Sequence, residues 1–202
     1  MRRLLVPLTA VLAISVASCL KSSSSSAPTP NSPLEYQTVA LIEARMDHEA
    51  VGLANGSALV LGGIDANGIA LNSIESFVGM VPATQPSLQF LGNMIEGRRD
   101  FGAVLLGNGL IFIAGGRDSN GNSMSTTEIL DPTTGQVTAG PALLTSRYGH
   151  TLMLYTSGGQ RVAICGGINT ASGLTALLSW EVYDPSAGTI TAGGNMADYC
   201  FF

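Results

Sequence analysis

Three glycine pairs recur at nearly constant intervals along this chain, and each closes a short apolar segment. The first glycines are Gly62, Gly115 and Gly166, in SALVLGG, LIFIAGG and RVAICGG. An arginine precedes each pair, and a glutamate follows each pair at a regular distance. Because several features keep one period of about fifty residues, the chain must fold as a series of similar units rather than around one irregular core.

Each unit contains turn signals that separate four predicted β-strands. In the second unit, residues 100–106 predict a strand, Gly107-Asn108-Gly109 a tight turn, and residues 110–116 an antiparallel return strand. A polar loop then leads to STTEILD and, after the turn at Pro132, to QVTAGP. The second strand is continuously apolar, which indicates that both of its faces are covered. Small sheets with two covered faces are built by stacking around an axis, as in a β-propeller.

The order Arg-x-x-His, apolar strand, Gly-Gly, polar loop and Glu-x-Tyr-Asp-Pro resembles the kelch repeat. The resemblance covers about residues 34–196, and the third unit is the closest copy. It implies an all-β propeller with four-stranded antiparallel blades at about 40–92, 93–142 and 143–195. The residues that carry the motif, and that we expect to be structural, are Arg45, His48, Gly62, Gly63, Glu75, Arg98, Gly115, Gly116, Glu128, Asp131, Arg147, His150, Gly166, Gly167, Glu181, Tyr183 and Asp184.

The two ends of the repeat region predict an incomplete propeller. Residues 32–47 align with residues 86–100, so a lone fourth strand is expected at Leu34–Val39. Residues 194–202 match only the beginning of a further unit. Three blades cannot close a ring, for which four to eight are typical. The sequence leaves two explanations open: a truncated copy of a longer protein, or a half-ring that assembles with a second chain.

The amino terminus predicts export and lipid anchoring. Arg2 and Arg3 precede the apolar stretch Leu4–Val16, which is short for a transmembrane helix and typical of a signal peptide. Residues 16–19, VASC, resemble the lipobox of bacterial lipoproteins, in which the cysteine is acylated. We therefore predict a signal at 1–18, an acylated Cys19 followed by a Ser/Pro-rich tether at 19–33, and a location in the bacterial cell envelope, with the outer membrane or cell surface favoured. An ordinary secretory signal with a chance cysteine is the alternative.

Composition and motif chemistry argue against several functions. The net charge of −5 and the scattered basic residues do not favour nucleic-acid binding. The Gly-Gly pairs open no helix and precede no GK[ST], so their expected role is tight backbone packing rather than phosphate binding. Asp118 begins a loop with only the opening spacing of a calcium site. We predict no catalytic residue, no metal site and no cofactor.

Two sets of motif residues have a specific structural prediction. His48 and His150 occupy the same slot in different units, and Phe101 fills it in the unit between, which favours a packing position on the innermost strand. The arginines are expected to make inter-blade hydrogen bonds with the glutamates as partners. Cys165 is expected to be a small buried apolar residue, with a disulfide to Cys200 as an alternative.

The predicted function is a binding or scaffold module anchored to the envelope. Its candidate contact surfaces are the loops between second and third strands, at 64–71, 117–124 and 168–174. The partner would be a protein or a glycan, and open blade edges such as TITAGG would allow self-association. The kelch resemblance also implies an enzymatic alternative, of the copper-radical galactose oxidase or sialic acid epimerase type. A non-functional fragment of a longer propeller is the remaining reading.

Overall fold

The computed structural model describes residues 39–78, 87–171 and 173–197, and these ranges fold as β-strands. Within them, no helix is long and apolar enough to cross a membrane. The predicted signal, Cys19, the tether and residues 198–202 lie outside the described residues. The lone strand predicted at Leu34–Val39 also lies outside them, apart from Val39, which is not in a strand.

The described residues contain three four-stranded antiparallel sheets, as the sequence predicts. We call them blades 1, 2 and 3. Blade 1 contains β1 (Glu49–Gly52), β2 (Ala58–Leu61), β3 (Ser73–Val78) and β4 (Ser87–Asn93). Blade 2 contains β5 (Gly102–Leu105), β6 (Ile111–Ala114), β7 (Thr127–Leu130) and β8 (Val137–Ala139).

Blade 3 has the same order with one small insertion. Its strands are β9 (Thr151–Thr156), β10 (Gln160–Cys165), β13 (Ser179–Asp184) and β14 (Thr189–Asn195). Between β10 and β13, a two-stranded hairpin forms from β11 (Ile168–Asn169) and β12 (Thr175–Ala176). The all-β, kelch-type fold predicted from the repeat is therefore confirmed.

Two apolar clusters hold neighbouring blades together. One packs Leu59 and Leu61 of blade 1 with Ile113 and Leu130 of blade 2. The other joins blades 2 and 3, and there the rings of Phe112 and Tyr183 stack with centroids 4.1 Å apart. The central strands β2 and β6 are buried along their whole length, as expected for strands between two covered faces.

The strand directions place two kinds of connection at opposite ends of the blades. The first strand of each blade begins where the second ends, since Glu49 pairs with Leu61 and Gly102 pairs with Ala114. The segments entering each blade therefore lie at the same end as the loops between second and third strands. We call this end the loop face; it comprises residues 41–48, 94–101 and 143–150 with loops 64–71, 117–124 and 168–174. Hairpin turns such as 53–57 and 106–110 lie at the other end, the turn end.

Candidate functional site

A buried arginine–glutamate pair supports the loop face in each blade. The nitrogen–oxygen distances are 2.5 Å for Arg45–Glu75, 2.5 Å for Arg98–Glu128 and 2.6 Å for Arg147–Glu181. Each guanidinium also donates to the carbonyl of the first glycine of its pair, for example Arg98 Nη1 to Gly115 O at 2.7 Å. Each buried guanidinium therefore faces a buried carboxylate, and the two charges compensate each other.

The glutamate of each pair also fixes the segment that arrives from the preceding blade. Glu128 accepts hydrogen bonds from the backbone N–H groups of Ile95 at 2.8 Å and Glu96 at 3.1 Å. The inter-blade hydrogen bonds predicted for the arginine side chains are wrong, because each guanidinium bonds within its own blade. The backbone carbonyl of the arginine instead accepts a hydrogen bond from the preceding blade. Gly63 N–H donates to Arg98 O at 2.9 Å, and Gly116 N–H donates to Arg147 O at 2.9 Å.

The Gly-Gly pairs lie where two backbones and a ring meet. All six glycines have positive φ, from 54° at Gly62 to 101° at Gly116. A Cβ on Gly115 would lie 2.5 Å from Arg147 O and 2.8 Å from the ring carbon Cε1 of His150. A Cβ on Gly62 would meet Phe101 in the same way, at 2.9 Å. In blades 1 and 2, the first glycine of the pair therefore packs against the ring of the following blade.

The His/Phe slot lies one residue before the innermost strand of each blade. Phe101 is 3% exposed and His150 is 8% exposed, and both rings pack against the preceding blade. His48 is half-buried, with no preceding blade among the described residues. The ring packing does not use the imidazole nitrogens: Nδ1 of His48 and both ring nitrogens of His150 are buried without a hydrogen bond of regular geometry.

The three slots open into one pocket near the propeller axis, with a volume of about 310 Å³. Blades 1 and 3 each contribute three consecutive positions to it, and blade 2 contributes two. Its lining consists of Asp47, His48, Glu49, Asp100, Phe101, Gly149, His150 and Thr151. We call this the axial pocket. It lies on the loop face, because its lining residues are located where the innermost strands β1, β5 and β9 begin.

Burial shifts the titration of several lining groups. Desolvation raises the pKa of Glu49 to about 7, with a small opposing effect from the backbone N–H of Ala50. Desolvation, reinforced by Arg147, lowers the pKa of His150 to about 3, and the Ala114 backbone acts weakly in the opposite direction. The pKa of His48 is lowered by desolvation and by Arg45. The imidazoles are therefore neutral at pH 7.

The rim of the axial pocket is braced from blade to blade. Asp100 N–H donates to Asp47 O at 3.2 Å, and Gly149 N–H donates to Asp100 O at 2.8 Å. Asp47 and Asp100 both have left-handed φ, at 55° and 51°. This conformation explains why β5 begins at Gly102 rather than at the predicted residue 100. The Asp100 carboxylate accepts from Arg117 Nε at 2.9 Å, and the Arg117 guanidinium lies 4.4 Å above the Tyr148 ring.

Hydrogen bonds also join the outer loops of the loop face across the seams. Ala70 N–H donates to Ser119 Oγ at 2.9 Å, and Ser123 N–H donates to Thr170 Oγ1 at 2.7 Å. Several large aliphatic side chains are nevertheless 52% to 70% exposed on this face. They are Ile42, Met46, Ile69, Ile95, Leu144 and Leu174.

Other predicted residues serve the turns or the core. Asp131 accepts from Thr133 N–H and Asp184 from Ser186 N–H, both within tight turns, while Tyr183 forms the ring stack between blades. Asp118 accepts from the N–H groups of Asn120 and Asn122, so turn geometry accounts for its loop. Cys165 is half-buried rather than fully buried. Across the described residues, no three metal-ligating side chains converge.

The comparisons with known proteins agree with this architecture. The family model of the kelch motif matches residues 98–144, which span the four strands of blade 2 and include Arg98. The chain carries the kelch motif. Among solved structures, YjhT has a similar fold, with a TM-score of 0.57 at 14% identity over 79% of this chain. The chain spans 55% of the length of YjhT. No curated protein matches the sequence significantly.

The pocket residues Asp47, Glu49 and Asp100 were missed by the sequence interpretation, which considered only the histidines. The kelch repeats themselves contain a signal for them. Positions of the scaffold, such as the arginine and the glutamate, are identical in all three units. By contrast, the pocket positions read Asp-His-Glu in blade 1, Asp-Phe in blade 2 and Gly-His-Thr in blade 3. A position whose residue changes between otherwise equivalent blades is not dictated by the fold.

Proposed function

We propose that this kelch-repeat chain is an envelope-anchored binding module, without catalytic activity, whose loop face docks a protein or glycan. The hydrogen bonds that join the loops of successive blades carry the proposal. Ser119 connects the loops of blades 1 and 2, and Ser123 with Thr170 connects those of blades 2 and 3. Loops held in fixed relative positions present a preorganised surface, which lowers the entropy cost of binding.

The chemistry of the loop face supports the same role. Its exposed aliphatic side chains supply apolar contact area, and Arg99, Arg117 and the pocket carboxylates supply polar contacts around it. A mixed surface of this kind suits specific recognition. The turn end offers short hairpin turns instead.

Photo-crosslinking in the native host tests the proposal with matched positions. Four exposed asparagines lie in loops of blades 1 and 2: Asn67 and Asn120 on the loop face, Asn55 and Asn108 at the turn end. A photoreactive amino acid at each position, in the full chain, should give a discrete adduct only from the loop face. Adducts of equal yield at both ends, or none from the loop face, would contradict the proposal.

Envelope anchoring is proposed from the lipobox-like segment and is tested separately. The full chain should incorporate labelled fatty acid and sediment with membranes, and Cys19→Ser should abolish both. A Cys19→Ser chain that remains membrane-bound and labelled would exclude acylation at this residue.

The proposed absence of catalysis has a direct check against the copper-enzyme alternative. Metal analysis of the purified full chain, after incubation with copper and gel filtration, should give far less than one copper per chain. Stoichiometric copper would instead favour an oxidase of the galactose oxidase type.

A further inference from the structure

Four Asn-Gly dipeptides lie in exposed turns that share one backbone shape. Each glycine has a φ between 82° and 86°, and nothing lies within 4 Å of a Cβ added to it. Each asparagine is exposed. The four dipeptides are Asn55-Gly56, Asn67-Gly68, Asn108-Gly109 and Asn120-Gly121. They form a matched set that differs in the groups around the asparagine side chain.

An Asn-Gly sequence loses ammonia slowly without an enzyme. The backbone nitrogen of the glycine attacks Cγ of the asparagine, the C–N bond of the side-chain amide breaks, and the proton of the attacking nitrogen leaves with the amide group as ammonia. Water then opens the resulting succinimide ring to give aspartate or isoaspartate. Negative charge develops on Oδ1 of the asparagine during the attack. Donors to this oxygen therefore favour the reaction, and nearby carboxylates oppose it.

The turn between β1 and β2 supplies two donors to this oxygen from one residue. Ser57 Oγ donates to Asn55 Oδ1 at 2.5 Å, and Ser57 N–H donates to the same oxygen at 3.0 Å. In the equivalent turn of blade 2, Asn108 Oδ1 accepts from the N–H of Leu110 at 3.1 Å. The leucine stands at the position of Ser57 and has no hydroxyl. The additional donor therefore distinguishes Asn55 from Asn108.

The two turns on the loop face place a carboxylate beside the asparagine instead. Asn67 Nδ2 donates to Asp65 Oδ2 at 3.1 Å, and the backbone N–H of Asn120 donates to Asp118 Oδ1 at 2.9 Å. Both aspartates are ionised at neutral pH. Their negative charge opposes the charge that develops on the neighbouring Oδ1, so it slows the attack.

The glycine nitrogens do not rank the four sites, since each donates to a carbonyl of its own turn at 3.0 to 3.2 Å. We propose that Asn55 is the primary site of spontaneous deamidation in this chain, with Ser57 Oγ as the group that stabilises the developing oxyanion. Asn108 follows it, and the two loop-face asparagines react last. This inference does not depend on the proposed binding role.

Deamidation at this site alters the hairpin that joins β1 to β2. The product adds one negative charge, and isoaspartate also adds a methylene group to the main chain. The hydrogen bond from Leu53 N–H to Ser57 O, at 2.8 Å, closes the turn around the modified residue. We therefore expect the modification to loosen this turn of blade 1.

Peptide mapping by mass spectrometry follows all four sites in one sample of the full chain, incubated in detergent at neutral pH. Asn55 should deamidate about three to ten times faster than Asn108, and Asn108 roughly a few times faster than Asn67 and Asn120. In urea, where the turns are lost, the four rates should converge to within about twofold.

Two variants of Ser57 test the role assigned to its hydroxyl. Ser57→Ala should lower the rate at Asn55 to that at Asn108, whereas Ser57→Thr, which keeps a hydroxyl, should retain most of the wild-type rate. The other three sites should be unaffected in both variants. A rate at Asn55 no higher than that at Asn108, or an unchanged rate in Ser57→Ala, would overturn the inference. The native order and spread of rates persisting in urea would overturn it too, because local sequence rather than the folded turn would then set the rates.

Discussion

At the scale of single residues, Gly115 illustrates how the fold depends on a missing side chain. Its φ is 60°, and an added Cβ would lie 2.5 Å from Arg147 O, so no side chain fits there. Gly115→Ala should therefore lower the free energy of unfolding by about 2–4 kcal/mol, combining a left-handed alanine with steric overlap. Urea denaturation measures the change.

Gly109 provides the control for this effect. Its φ is 86°, yet nothing lies within 4 Å of its would-be Cβ. Gly109→Ala should lower stability by only about 1 kcal/mol, the conformational part. Equal losses in the two variants would show that the approach of the neighbouring blade is not as close as described.

His150 should make the protein sensitive to acid. The pKa of this ring is lowered to about 3, whereas an unfolded chain has a histidine pKa near the ordinary 6.5. As pH falls below about 6.5, this imidazole binds a proton in the unfolded state but not in the folded state. The free energy of unfolding therefore decreases towards pH 3. His150→Phe, which copies the residue of blade 2, should remove this contribution. Melting temperatures at pH 7 and pH 4.5 should then differ less in the variant; an unchanged difference would contradict the assignment.

At the scale of the blade, the buried arginine–glutamate pair joins the third strand to the segment that enters the blade. Glu128 on β7 holds Arg98 and two backbone N–H groups of the segment entering blade 2. Glu128→Gln should lower the free energy of unfolding by about 3–5 kcal/mol, because it leaves a buried guanidinium without its counter-ion. Chemical denaturation with two-state analysis gives the value.

Glu96 is the matched control, since it contacts the same arginine from a side chain that is 43% exposed. Glu96→Gln should cost no more than about 1 kcal/mol. A loss in Glu96→Gln as large as that in Glu128→Gln would mean that burial does not set the strength of the pair.

The repeat made the elements predictable, but not all of their contacts. The period and the apolar second strands predicted three four-stranded sheets, and the Gly-Gly pairs predicted tight backbone packing. The sequence could not show that the Arg98 side chain bonds within its own blade while the Arg98 carbonyl accepts from Gly63 of the preceding blade. Both the glutamate and the glycine pair recur with the same period, so the pattern does not tell these contacts apart. Glu49 had no motif at all. Its place in the axial pocket depends on residues about 50 and 100 positions away, which only the folded chain brings together.

At the scale of the whole molecule, the proposed binding role requires the loop face to be one rigid surface. The amides of Gly63, Gly116 and Gly149 donate across blade seams, and those of Ala70 and Ser123 donate to side chains of the next loop. By contrast, Asn55 and Asn108 are exposed in hairpin turns at the turn end, where Gly107 N–H donates to Gln160 Oε1 of the next blade at 2.8 Å.

Amide hydrogen exchange resolved by residue, on the full chain in detergent, compares these groups directly. The account predicts that the five loop-face amides exchange at least tenfold more slowly than the amides of Asn55 and Asn108, relative to their intrinsic rates. Exchange of the loop-face amides as fast as that of the turn-end amides would contradict a preorganised binding surface.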